Sequence, residues 1–226
     1  MASSDGRSGV DQEPAERLGI REEQRLLTQR RILDSALEVF DEKGYNTATV
    51  EDIVAAAGIA RGTFYLHFKN KLHLVQSLTA ELGPEVSKLY QDLDELVTSD
   101  SGVSREAIHE WVSRVLAWFD DHKTVALVWQ EISVSEPEFE TEPAVWVANQ
   151  MHRYLDQWPA DQREAARLRI VLLIQQLARA FLLSHVRHAI RVDNDLLVSV
   201  LSDLWADSLR PPTKAAPSRN TARSRK

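Results

Sequence analysis

Apolar residues recur along this chain at helical spacing. Leu33, Ala36, Leu37 and Phe40 stand at i, i+3, i+4 and i+7, which predicts a helix from about Glu22 to Lys43, with Gly44 as its left-handed stop. Two short helices follow. Thr49 precedes Val50-Glu51-Asp52 as an N-cap, Asp52 at the third helical position makes a partial capping box, and Gly58 ends the helix. The next runs from about Arg61 to Phe68. Asn70 then caps a long fourth helix that Gly83-Pro84 should kink. Further helices are predicted at about 104–120, 122–135, 142–158, 161–190 and 193–210. All eight glycines lie within the first 102 residues, and Pro137, Pro143, Pro159, Pro211 and Pro212 mark corners after that. Glycine-free segments with few alternating runs favour helices over hairpins, so the fold class is all-α, with about nine helices.

Composition sets the organisation around these helices. Residues 1–20 have almost no apolar periodicity and read as a flexible arm. Residues 211–226 hold Lys214, Arg219, Arg223, Arg225 and Lys226 without an acid and read as a basic disordered tail. Between them, 21–70 and 71–210 are taken as two domains. The net charge of −7 argues against a protein that coats nucleic acid, so DNA binding has to come from a local basic face. One exists: from Val54 to Ala80 there is no acid, while Arg61, Lys69 and Lys71 are cationic and His67 and His73 can donate. The chain has no cysteine, no signal-like apolar segment and no run near the roughly 20 apolar residues of a membrane span, so it is expected to be cytoplasmic and without membrane contact.

The two short helices and the turn between them follow the grammar of a helix-turn-helix. Ala56 and Ala57 permit a close helix crossing, Gly58 takes positive φ at low steric cost, and Ile53, Ile59, Phe64 and Phe68 can form the apolar wedge. That leaves Arg61, Gly62, Thr63, Tyr65 and His67 facing outward, a polar and aromatic set suited to base edges and phosphates.

Over residues 25–75 the pattern resembles the DNA-binding domain of the TetR family. The residues that carry the likeness are Ile32, Ala36, Phe40, Gly44-Tyr45, Thr49-Val50-Glu51-Asp52-Ile53, Ala57-Gly58-Ile59, Gly62-Thr63-Phe64-Tyr65, Phe68-Lys69-Asn70-Lys71 and Leu74. Ala60 departs from it, standing where many members place a Ser or Thr that caps the recognition helix. The resemblance implies that Thr49 touches a phosphate, that Arg61, Gly62 and Thr63 face the major groove, and that Tyr65, His67 and Lys71 hold the DNA backbone. Arg61 is the candidate for a base contact, since its guanidinium can bind guanine bidentately. The resemblance also implies that a long helix joins this three-helix domain to a C-terminal helical bundle for effector binding and dimerisation.

In the C-terminal part, the 161–190 helix has an apolar face too broad for one neighbour. With Leu196, Leu197, Val200, Leu201, Leu204 and Trp205 of the last helix it can build a four-helix homodimer interface. Trp111, Trp118, Trp129 and Trp146 serve as core or as walls of an effector cavity, in which Gln130, Asn149 and Gln150 can orient a small apolar or aromatic molecule. No metal-ligand spacing, nucleophile elbow or phosphate-binding glycine loop occurs, so no metal, cofactor or catalytic residue is expected. The reading is a homodimeric, ligand-released repressor of a palindromic operator. An activator, or a small-molecule-binding dimer without operator specificity, are its alternatives.

Overall fold

A computed structural model describes residues 14–99, 102–134 and 137–211, and only the backbone of 14–18 and 137–141. Among the described residues it holds ten α-helices and no strand. The chain divides into two compact units, 1–78 and 79–226.

The first unit contains α1 (Pro14–Lys43), α2 (Val50–Ala57), α3 (Arg61–His67) and the first turns of α4 (Lys71–Val97). Proline at the first helical position suits the start of α1, where its missing N–H has no intrahelical partner to lose. The helix thus begins eight residues before Glu22 and takes in part of the segment expected to be a flexible arm; residues 1–13 lie outside the described residues. Ile32, Leu33, Ala36 and Phe40 of α1, Ile53 and Ala57 of α2, Phe64 and Phe68, and Leu74 and Val75 of α4 are buried together as the core. Ala56 is exposed, so Ala57 alone of the pair stands in the core.

The second unit contains the rest of α4 with α5 (Arg105–Asp121), α6 (Lys123–Ser133), α7 (Pro137–Gln150), α8 (His152–Asp156), α9 (Arg163–Phe181) and α10 (Asn194–Ser208). The predicted 142–158 helix begins earlier and breaks at Met151, and Pro143 sits inside α7 instead of at a corner, at the loss of one intrahelical hydrogen bond. Likewise α4 continues through Pro84 as one helix. The α8 N-terminus has no cap of its own. Asp94 of α4, buried, accepts from Arg153 N at 3.0 Å and Tyr154 N at 2.8 Å and supplies one from 60 residues away. Trp111 and Trp205 pack at 4.7 Å in the centre of this unit. The predicted 161–190 helix ends as a π-turn, Leu182–Val186, in which Ser184 Oγ donates to Ala180 O at 2.7 Å. Leu168 and Leu172 of α9 and Leu196, Val200 and Leu204 of α10 are left 44–60% exposed. The predicted basic tail from 212 on lies outside the described residues.

Candidate DNA interface and ligand cavity

Local chemistry sets the two short helices at their crossing. Asp52 N donates to Thr49 Oγ1 at 3.1 Å and Thr49 N donates to Asp52 Oδ2 at 3.0 Å, so both halves of the capping box are made. Lys43 Nζ donates to Asp52 Oδ1 at 2.6 Å, and with Thr49 it holds that carboxyl well below the usual range. Gly58 closes α2 in the left-handed conformation, φ 60°, and its carbonyl accepts from Arg31 of α1 at 2.9 Å. Ala60 then opens α3 without a side-chain cap, as its lack of a hydroxyl requires.

One side of α3 is anchored by Phe64, fully buried and 5.7 Å from Phe68. The other side presents Arg61, Gly62, Tyr65 and Leu66, the last 84% exposed, with Thr63 and His67 half-buried. Arg61 forms an ion pair with the Glu51 carboxylate, and its guanidinium lies 5.7 Å from the centre of the Tyr65 ring, donating to the hydroxyl at 3.4 Å. These partners are exposed, and water screens the pair, so they are readily exchanged.

The second unit holds a cavity of about 500 Å³ that opens to solvent beside the exposed Glu142 and Trp146. α4 contributes Thr79, Gly83 and Tyr90 to its wall, α5 contributes Trp118 and Phe119, α6 contributes Trp129, and α7 contributes Glu142 and Trp146. Trp118 and Trp129 lie nearly parallel, 28° apart with centroids at 6.5 Å. Their N–H groups are directed by side-chain acceptors: Trp118 Nε1 donates to Glu85 at 2.9 Å and Trp129 Nε1 to Thr79 Oγ1 at 2.9 Å. A smaller cavity of about 140 Å³ shares Phe119, Trp129, Pro143, Ala144 and Ile174 with it and adds Gln130, whose Oε1 is buried without a hydrogen-bond partner.

Residues 32–78 match the family described as bacterial regulatory proteins, tetR family. Over those residues the chain carries a TetR-type DNA-binding domain. It is similar to the fatty acid metabolism regulator protein of Bacillus subtilis (strain 168), with 41% identity over 69 residues, 30% of this chain and 36% of that protein. The match thus spans about a third of that relative's length. Among solved structures, a transcriptional regulator from Aquifex aeolicus VF5 aligns with a TM-score of 0.55 and 22% identity, over 79% of this chain and 97% of the other. The regulator FadR from Bacillus subtilis, solved in complex with stearoyl-CoA, aligns with a TM-score of 0.52 and 20% identity, over 79% and 98%. At these identities the likeness is one of fold.

Set on the TetR-family frame, the expected site residues divide. Arg61, Gly62, Thr63 and Tyr65 stand on α3, and Thr49 is the N-cap of α2. Lys71 and His67 are engaged within the fold. The Lys71 ammonium is engaged by the loop before α2: it donates to Ala48 O at 2.7 Å and to Tyr45 O, and lies 4.1 Å from the Tyr45 ring centre. His67 has a buried Nδ1 without a partner, and burial together with Arg25 pushes its pKa below the ordinary 6.5, so the ring is neutral at pH 7. Lys69, exposed beside α3, was not singled out from the sequence as a contact; its place in the acid-free stretch was the signal for it. In the cavity, Trp118, Trp129 and Trp146 are on the wall. Trp111 is not. It is fully buried, donates to Leu89 O at 2.8 Å and packs on Tyr90. Asn149 is exposed and Gln150 half-buried, and neither stands on the wall of this cavity. Glu142, which does, carries no sequence pattern that marks it, and Gly83, also on the wall, was marked only as an expected kink.

Proposed function

We propose that this chain is a homodimeric transcriptional repressor, not an enzyme, that binds a palindromic operator through α3 and leaves it when a small apolar or aromatic effector fills the cavity. The observation that carries the reading is the outer face of α3: exposed Arg61, Gly62, Tyr65 and Leu66 on a short helix held by buried Phe64. Arg61 exchanges Glu51 for a guanine edge, Leu66 offers an apolar surface to a thymine methyl, and Thr49, Tyr65 and Lys69 hold phosphates. Residues 21–70 serve as the reading domain and 71–210 as the effector and dimerisation domain, in a cytoplasmic protein; no helix of the described residues is long and apolar enough to cross a membrane.

Dimerisation is supported by the exposed leucines and valine of α9 and α10, which a partner copy can cover. Two recognition helices must stand one DNA turn, about 34–36 Å, apart to read a palindrome. Helix α4 supplies Leu74 and Val75 to one core and Gly83 and Tyr90 to the cavity wall, so a ligand that shifts it alters that spacing. A coupling of about 1–3 kcal/mol lowers operator affinity roughly 5–150-fold.

Fluorescence anisotropy with DNA flanking the gene tests the reading. The wild-type protein is expected to prefer its site over random DNA by at least about 10³-fold. Folded Arg61→Ala is expected to lose about 1–3 kcal/mol of that discrimination. Unchanged affinity and selectivity in the variant would remove Arg61 from the interface.

A further inference from the structure

The cavity of the second unit is bounded by rings and one acid. Tyr90, Trp118, Phe119, Trp129 and Trp146 line it, and Glu142 is the one side chain charged at neutral pH among the described residues of its wall. The sequence flanking Glu142 has the same sign. Between Thr124 and His152 the sequence holds Glu131, Glu136, Glu138, Glu140 and Glu142, and no Asp, Lys or Arg. Beside the cavity Glu85 takes the Trp118 N–H and stands 3.6 Å from His122 Nε2, His122 stacks on Trp118 at 4.6 Å, and the adjoining smaller cavity holds the unpartnered Gln130 Oε1, with Arg179 on its wall as an exposed side chain.

An anion entering this cavity would give up part of its water and meet no cation on the wall, and an unpaired charge that loses water is disfavoured. A neutral molecule gains apolar burial alone. A cation gains the faces of the indoles, the best π partners among side chains, and the Glu142 carboxylate. From this arrangement we infer that the effector is a lipophilic organic cation: a protonated amine or quaternary centre carried on an aromatic or apolar body. The inference rests on the cavity being the effector site and specifies what that site takes. A volume of about 500 Å³ admits a drug-sized molecule.

Tetraphenylphosphonium and tetraphenylborate share one shape and carry opposite charges, so the pair isolates the sign of the charge. Calorimetric titration of the full-length protein is expected to show the phosphonium bound about tenfold more tightly, the order of a partly desolvated cation–π contact. Glu142→Gln, a change at an exposed position, is expected to reduce that preference about threefold. Gly83→Leu projects a side chain from the cavity wall, where an added Cβ meets no atom within 4 Å, and is expected to abolish binding of both ions. Borate bound as tightly as phosphonium, or a preference unmoved by Glu142→Gln, overturns the inference and leaves the cavity as the effector site. If neither ion binds, or if binding survives Gly83→Leu, the effector-site reading falls and the inference with it. No DNA enters the assay, so operator recognition is judged separately.

Discussion

At the scale of single residues, charge and burial decide which cations around α3 remain available to phosphate. His67 is the clearest case. Its pKa is lowered mainly by burial and then by Arg25, so the folded protein binds fewer protons there than the unfolded chain. The stability tied to this group is complete above the ordinary value of 6.5 and is lost as pH falls through the depressed folded value. Melting temperature should therefore decline from pH 7 to pH 5 in the wild type, and less steeply in His67→Gln. Parallel pH profiles for the two proteins would mean that the imidazole titrates freely in the fold. Lys71 differs in kind: its ammonium is turned onto carbonyls 23 and 26 residues earlier in the chain.

At the scale of elements, a helix end that lacks its own cap is completed from elsewhere or left open. α2 completes itself through Thr49 and Asp52, and α3 is left open at Ala60. α8 depends on Asp94, whose carboxyl group accepts hydrogen bonds from Arg153 N and Tyr154 N. Hydrogen bonds to charged groups contribute about 1.5–3 kcal/mol each. Asp94→Ala is accordingly expected to destabilise the protein by about 3 kcal/mol in urea unfolding, with Asp94→Asn intermediate because it keeps one acceptor oxygen. A loss below about 1 kcal/mol would show that water caps α8 equally well.

At the scale of the whole molecule, the exposed apolar side chains of α9 and α10 are the feature without an internal explanation. Leu168 and Leu172 are four residues apart, as are Leu196, Val200 and Leu204, so each set forms one stripe along its helix. If a second copy covers these stripes, Leu172→Glu places an unpaired charge in the interface. Sedimentation velocity should then show a monomer, and operator affinity should fall with it because the two half-sites are no longer bound together. A Leu172→Glu protein that sediments as a dimer would locate the interface on another face.

What the amino-acid order determines by itself is what neighbouring residues decide among themselves. The Thr49–Asp52 box, the positive φ of Gly44 and Gly58 and the Asn70 cap depend on residues within about four positions of one another, which makes them legible. The tertiary structure decided the rest. Trp111 and Trp118 stand seven apart on one helix and share a face by spacing, yet one is sealed against Tyr90 and Trp205 while the other lines the cavity. Pro143 looks like a corner and lies within α7, and Asp94 looks like a surface acid and caps a helix 60 residues on. In each case the deciding partner comes from a remote part of the chain, and packing against it outweighs the local preference.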